Sequence, residues 1–355
     1  MGKKLIFLGI ETSCDETAAS VVQENLDGSA KVLSSIVSSQ IKEHEKFGGV
    51  VPELAARSHI ENIDFIISKA LRDAKTNLDQ IDGVAATAGP GLIVCLTVGL
   101  NVGKAIAGFA NKPFVAVNHL EGHALSPALN NKIEFPYLLL LISGGHSQYL
   151  IVKDVNDYEQ IGTTIDDALG EAFDKTAKIL GFEFPGGSKI EEYAKKGDPS
   201  RFNLPKPIIS RGGCNLSFAG LKTAVLRATK LVNTNKDKFD LAASFQKTIT
   251  DIIYKKTKIA IEEFKKHSNG KVIVVAGGVA ANKEIRKTIN QICSEVKFSA
   301  VFPEINLCGD NAAMIALVGL KKFKNGKYDK PNFPVKPRWL LDKNAKFLKG
   351  SGVEL

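Results

Sequence analysis

The sequence predicts an α/β protein built from two copies of one plan, and three observations carry this reading. Apolar runs of strand length alternate with stretches of helical periodicity along most of the chain. An opening of strand, polar or glycine-rich turn, strand and strand occurs twice, over residues 4–39 and again over 137–165. At 355 residues the chain is also longer than one ordinary core organises, so two domains are expected.

In the first copy KLIFLGI (4–10) reads as a strand, followed by TAASVVQ (17–23) and KVLSSIVSS (31–39). No helix intervenes, so these form a β-meander and not a βαβ unit. RSHIENIDFIISKALRDA (57–74) has helical periodicity, and IDGVAATAGPG (81–91) is a strand ending in a Gly-Pro-Gly turn. LTVGLNVGKAIAGFA (96–110) reads as a buried helix, and FVAV (114–117) as a strand that delivers the chain to His119. The second copy begins with YLLLLIS (137–143), GGHS, QYLIVKD (148–154) and YEQIGTTI (158–165). Helices follow at 166–180, 189–196 and 240–266. KVIVVAGGVAANKEIRKTI (271–289) is strand, glycine turn and helix, and DNAAMIALVGLKKF (310–323) is a helix capped by Asp310. The domains expected are 1–130 and 131–325, with a Pro- and Lys-rich tail, 326–355, packing back on the first. No identity recurs at a fixed period, so the duplication is one of architecture and the chain is not a solenoid. Duplicated hairpin-led α/β domains are the plan of the actin, hexokinase and Hsp70 class. There, two glycine-rich hairpin turns grip phosphates from opposite sides of a cleft between the domains.

Composition narrows the class. Hydrophobic residues make up 44% and charged residues 24%, as in a soluble globular protein. The net charge of +9 and pI of about 9.1 suit a polyanionic partner without fixing specificity. The five cysteines, Cys14, Cys95, Cys214, Cys293 and Cys308, are scattered, odd in number and lack a C-x-x-C pair. That fits a reduced cytosol better than a disulfide framework. The N-terminal apolar run is short and reads as a first strand rather than a signal peptide. No run of 18 apolar residues suggests a membrane span.

Several motifs can carry chemistry. VNHLEGHALS (117–126) places His119 and His123 four apart, on one face of a helix, where two imidazoles can share an ion. An isolated pair of this kind is also an ordinary helical feature. The zincin motif H-E-x-x-H needs a glutamate beside the first histidine; here that position is Leu120 and Glu121 falls elsewhere on the helix. A metal reading therefore needs a third ligand. Asp310 at a helix mouth is a candidate, although an N-cap is the plainer reading of such a residue. Two His and one Asp would leave positions open on Zn(II) or Fe(II).

GIETSCDET (9–17) puts Glu11, Asp15 and Glu16 around the first turn, with hydroxyls from Thr12, Ser13 and Thr17. Such a turn can present N–H groups to a phosphate, with the carboxylates close to it as a general base or as outer-sphere metal partners. ISGGHSQ (142–148) is its counterpart; Gly144 and Gly145 let the backbone approach an oxyanion, and Ser143 and His146 add donors. VVAGGVAAN (274–282) leads to a helix start where Asn282 can meet a hydroxyl or a base edge. FPGGSKIEE (184–192) repeats a Gly-Gly entry before Glu191, and Asp167, Glu171 and Asp174 share a helical stripe.

Taken together, ETSCDET, FGGVVPELAARSHIEN (47–62), NHLEGHAL, SGGHSQ, GEAFDKTAK with LGFEFPGG, SFAGLKTAV (217–225), AGGVAAN and DNAAMIA resemble, in order and spacing, the universal tRNA threonylcarbamoyltransferase family, whose older name was O-sialoglycoprotein endopeptidase. The resemblance runs from Lys4 to about Phe323, with RWLLD (338–342) as a tail match. The compact length looks like the bacterial-type branch. It implies the two-domain actin-like fold and transfer of a threonylcarbamoyl group from threonylcarbamoyl-AMP to N6 of the adenine 3′ of the anticodon, in tRNAs reading codons that begin with A. By position, His119, His123 and Asp310 match the family's metal ligands, with iron(II) favoured and zinc the alternative. Ile142, Ser143, Gly144, Gly145 and His146, with Asp174, Gly187 and Asn282, match positions that hold the adenylate donor, and Glu191 joins the ribose contacts. The metal would polarise the donor's carbonyl as a Lewis acid, and Asp15 or Glu16 would take the amine proton. A paralogous actin-fold partner and a small ATPase are implied, with the anticodon loop read as a single strand. Bulky Val94 and Cys95 depart from the small residues usual after GPGL. Outside the resemblance, a metalloprotease, a sugar kinase of the same fold and a non-catalytic scaffold are the rival readings.

Overall fold

The computed structural model describes residues 4–25 and 29–345. In chain order the elements of the first half are β1 (Ile6–Glu11), β2 (Glu16–Glu24), β3 (Ala30–Ser39), α1 (Ile41–Glu45), α2 (Pro52–Asp73), β4 (Gly83–Gly89), α3 (Ile93–Phe109), β5 (Phe114–Asn118) and α4 (His119–Leu125). Then come β6 (Tyr137–Ile142), β7 (Ser147–Asp154), β8 (Asp157–Thr163), α5 (Leu169–Leu180), α6 (Gly186–Ala194), α7 (Ala219–Ala228) and α8 (Asn235–His267). The last are β9 (Val272–Ala276), α9 (Lys283–Val296), β10 (Ser299–Val301) and α10 (Ala312–Lys324).

The chain divides into two compact units. The first comprises residues up to Ile133 with Val155–Asp157 and Pro303–Lys343, and the second Glu134–Asp154 and Tyr158–Phe302. Each holds one five-stranded sheet, ordered β3-β2-β1-β4-β5 in the first and β10-β9-β6-β7-β8 in the second. Read from the other edge, the second order is β8-β7-β6-β9-β10, the same plan. In both, the leading strand pairs antiparallel with the next and parallel with a strand that arrives after a helical excursion. A further parallel strand closes the edge. The architecture is thus a duplicated α/β fold of the actin-like kind.

The central strands are buried along nearly their whole length. YLLLLI of β6 and GVAATAG of β4 are covered throughout, as expected where helices lie on both faces. In the first unit α10 provides one cover. A Cβ at Gly9 would lie 2.2 Å from the carbonyl oxygen of Ala312, so β1 and the helix meet backbone to backbone. Because α10 is buried on nearly every side against β1 and β4, it belongs to the first unit and not to the second, where the sequence boundary at 325 had placed it. Phe333, Val335 and Trp339 pack against the core of the same unit. Residues 346–355 of the expected tail lie outside the described residues. Among the described residues, no helix is long and apolar enough to cross a membrane.

Candidate metal centre and glycine-turn site

The two histidines begin and nearly end α4, a short helix launched directly from β5. Asn118 caps it, its Oδ1 accepting from the backbone N–H of Leu120 at 2.9 Å, while its Nδ2 donates to the carbonyl of Trp339 at 3.0 Å. One face of the helix thereby presents both imidazoles, with ring centroids 4.7 Å apart. Asp310 meets them: its Oδ1 lies 3.0 Å from His123 Nε2 and 3.5 Å from His119 Nε2. Asp310 is not the cap of α10. That role belongs to Asn311, whose side chain accepts from Met314 N at 3.0 Å, which leaves the Asp310 carboxylate for the histidines.

One ligand atom from each of His119, His123 and Asp310 lies within 4.8 Å of the others. Two imidazoles and a carboxylate converging on one point suit a borderline divalent ion such as zinc or ferrous iron, with positions left for an oxygen ligand. His119 adds a second sign of fit. Its Nδ1 lies 3.0 Å from Glu11 Oε2, so its Nε2 is the nitrogen turned to Asp310. A histidine held by a carboxylate through its far nitrogen is the usual setting of a metal ligand.

The electrostatics follow from this crowding. Burial alone would depress His119, but the carboxylates of Asp310 and Glu11 outweigh it and hold the imidazolium up to about 9. Burial works against ionising Glu11 and Asp310 as well; the facing histidines nonetheless hold both carboxyls below the ordinary range. Glu16 is different. Burial, together with the carboxylates of Asp310 and Asp15, pushes it up to about 10, so in this state it holds its proton at neutral pH. Burial, with Asp15 and Asp310 beside it, raises the Cys14 thiol too.

The turn carrying Asp15 and Glu16 is clamped by α3, by the residue that caps it and by α2. Thr12 Oγ1 donates to the Cys95 carbonyl at 2.9 Å and accepts from Gly99 N at 3.1 Å, tying it to α3. Leu92 N donates to the Ser13 carbonyl at 2.9 Å. His59 on α2 holds the Cys14 carbonyl through Nε2 at 2.9 Å. Of the two departures, Cys95 is buried beside the start of α2, near the Pro52 carbonyl, and Val94 faces solvent.

Glu121 answers the protease question. It is buried, its Oε2 lies 2.7 Å from Lys322 Nζ, and its Oε1 accepts from Asn156 N at 2.9 Å. A carboxylate locked in a buried ion pair away from the histidines is not the base that a zincin needs.

In the second unit the turn between β6 and β7 is closed by Ser143 N donating to the His146 carbonyl at 2.8 Å. Gly144 and Gly145 are exposed, and a Cβ on either would meet nothing. The N-terminus of α5 abuts this turn: Gly170 N donates to the Ser143 carbonyl at 3.1 Å, and a Cβ at Gly170 would come within 2.7 Å of it. A helix N-terminus beside an open glycine turn favours an anion. Asp174, farther along α5, accepts from Gly186 N at 2.9 Å and so fixes the entry of α6, where Gly187 stands open. Burial raises the Asp174 carboxyl against those backbone donors. Glu191 reaches Lys283 N at 3.4 Å, at the start of α9. Asn282 caps α9 through Ile285 N at 3.0 Å, and its Nδ2 donates to Gln246 on α8 at 2.9 Å. Gly277, at φ +93°, brings the AGGVAAN turn against the Ile142 carbonyl. Ile142–His146, Asp174, Gly187, Glu191 and Asn282 are therefore linked by one run of contacts within this unit. Asp167 lies 3.0 Å from Lys175, a partner that also holds Glu171, so that acidic pair is spent on an ion pair.

The sequence reading offered Glu11, together with Asp15 and Glu16, as a general base or an outer-sphere metal partner, and missed Thr87, Gln246, His59 and Lys322 as supports. Glu11 was visible as an acid at a strand end. Of the others, His59 lies inside the FGGVVPELAARSHIEN run; Thr87, Gln246 and Lys322 are single residues inside elements, and nothing in their spacing marks them.

Fold and centre define a class: a duplicated actin-like α/β protein in which two histidines and one aspartate converge where they could hold a metal ion. Solved structures share the fold, among them component A of (R)-2-hydroxyglutaryl-CoA dehydratase from Acidaminococcus fermentans (TM-score 0.53, 16% identity, 90% of this chain and 98% of that one) and HypF from T. kodakarensis (TM-score 0.57, 14% identity, 90% and 48%). The chain belongs to the tRNA N6-adenosine threonylcarbamoyltransferase family, whose model matches residues 31–317. Proteins of that name from Pelagibacter ubique (64% identical, 100% of both chains) and Rhizobium leguminosarum bv. trifolii (49% identical, 98% of this chain and 97% of the other) are similar throughout.

Proposed function

We propose that this chain transfers the threonylcarbamoyl group of threonylcarbamoyl-AMP to N6 of the adenine 3′ of the anticodon, in tRNAs reading codons that begin with A, releasing AMP. The observation that carries this reading is the end-to-end similarity to relatives of that name, at up to 64% identity among those compared. The N6 lone pair attacks the carbamoyl carbonyl carbon, the bond from that carbon to the phosphate oxygen breaks, and the amine loses a proton.

Each residue has a part. Gly144 and Gly145, with Ser143 and His146 and the N-terminus of α5, offer backbone and side-chain donors to the phosphate that leaves with AMP. Ile142, Asp174, Gly187, Glu191 and Asn282 complete the adenylate site; Asp174 and Asn282 do so partly by fixing the starts of α6 and α9. His119, His123 and Asp310 would hold one divalent ion, iron(II) by preference and zinc as the alternative, which supplies Lewis acidity toward a carbonyl oxygen. An adenine amine is a weak nucleophile, so orientation and carbonyl activation must carry most of the rate. Asp15 is the proton acceptor we favour over Glu16, because Glu16 already holds a proton at neutral pH. The protein works in the cytoplasm, with tRNA held partly by the net charge of +9 and with a paralogous actin-fold partner and a small ATPase.

The test is nucleoside mass spectrometry of unmodified tRNA incubated with the chain, those partner proteins and an enzymatic supply of threonylcarbamoyl-AMP. Threonylcarbamoyladenosine should form with the unaltered chain and not with the His119→Ala, Asp310→Ala double variant. Its absence with a folded, metal-loaded chain and a verified donor supply would overturn the reading.

A further inference from the structure

The ends of three neighbouring parallel strands meet behind the metal centre. Glu11 is the last residue of β1, Thr87 lies near the end of β4, and His119 follows β5; β4 is the strand between the other two. Ligand sites in such sheets gather at the carboxyl ends of strands. Glu11 is fully buried, and three hydrogen-bonding groups face its carboxylate, Ser13 N, Thr87 Oγ1 and His119 Nδ1. Its Oε1 accepts from Ser13 N at 2.5 Å. Its Oε2 accepts from Thr87 Oγ1 at 2.5 Å and faces His119 Nδ1 at 3.0 Å. A carboxylate in this position only accepts, so the nitrogen facing it must carry the hydrogen. Ser13 Oγ, 3.1 Å from the same Nδ1, does not change that choice.

Resting on the metal reading above, we infer that Glu11, aimed by Thr87, is a positioning residue for the metal ligand His119. It keeps hydrogen on Nδ1, turns Nε2 toward the point it shares with His123 and Asp310, and makes Nε2 a stronger donor once a metal ion displaces its proton. Thr87 contributes from the middle strand: without its hydroxyl, the Glu11 carboxylate loses one of the donors that hold its orientation. The arrangement extends the centre from three side chains to five and ties its affinity to the strand ends of the sheet.

The experiment is titration of the purified, metal-free full-length chain with Co(II), read by its visible absorption and by calorimetry. It compares the unaltered chain with Glu11→Gln, Thr87→Val and His123→Ala. Removal of a partner of this kind weakens a metal site about 10- to 100-fold. We expect that loss for Glu11→Gln, with shifted cobalt bands, and a smaller loss in the same direction for Thr87→Val. Glu11→Asp, which keeps the charge, should recover part of the loss. Thr87→Val keeps the shape of a buried side chain and reports on the inference even if Glu11→Gln fails to fold. If both variants bind Co(II) like the unaltered chain while His123→Ala does not, the inference is overturned and the metal reading stands. If the unaltered chain binds no Co(II), the metal reading falls and the inference with it.

Discussion

His119 carries more of the centre's behaviour than any other single residue. In the metal-free protein its imidazolium persists to about 9, so a metal ion must displace a proton to reach Nε2. Metal affinity should therefore rise as pH increases from 6.5 toward 9 and level off above it, which titrations at several pH values will show; a flat profile would contradict the arrangement. The same shift has a consequence for folding. The folded value lies above the ordinary 6.5, so the contribution of the His119 imidazolium to metal-free stability is complete below about 6.5, as long as Asp310 and Glu11 stay ionised. It is lost as pH rises through about 9, and denaturant midpoints across that window measure the loss. A second residue-scale prediction concerns Lys322. Lys322→Met removes the cation of this buried ion pair, which costs about 3–5 kcal/mol, while the Glu121 carboxylate keeps the hydrogen bond from Asn156 N. Pairing that change with Glu121→Leu should recover most of the loss.

Helix α10 shows how two adjacent residues divide two jobs. Asn311 caps the helix and also donates to the carbonyls of Leu307 and Gly309, whereas Asp310 faces the histidines. Asn311→Ala should cost at least about 1 kcal/mol of stability and spare metal binding only to the extent that the helix start holds. Asp310→Asn should leave the melting of the metal-free protein nearly intact at pH above 9 and abolish tight metal binding. Calorimetry of the two variants separates cap from ligand. The turn between β9 and α9 makes a similar point for backbone. Gly277 sits at φ +93°, and a Cβ there would lie 2.4 Å from the Ile142 carbonyl. Gly277→Ala should destabilise the second unit by roughly 1–3 kcal/mol and disturb the 142–146 turn with it.

At the scale of the whole molecule, the +9 charge predicts how tRNA is engaged. Each phosphate neutralised releases counterions, so the KM for tRNA should climb steeply with salt while the KM for the adenylate donor changes little. Steady-state kinetics at 50 and about 200 mM salt distinguish the two. Equal sensitivity of both constants would argue against a largely electrostatic hold on tRNA.

Much of this was legible without coordinates. The duplicated strand plan, the glycine turns and the H-x-x-x-H helix are local patterns. Hydrophobic period and turn chemistry report such patterns directly, because they depend on residues a few positions apart. Other features depended on packing between distant segments. The sequence offered Asp310 as cap or ligand; the fold gives the cap to Asn311 and turns the Asp310 carboxylate to the histidines of α4, a packing of distant segments. The sequence placed α10 with the second half of the chain, yet the helix buries itself on β1 and β4, because a helix apolar on every side must enter whichever core encloses it. Glu11 and Glu121 are both acids near histidines in sequence or motif. The fold turned one toward the imidazole of His119 and locked the other to Lys322, a choice set by burial, since each buried carboxylate needs a partner and only the packed chain supplies it.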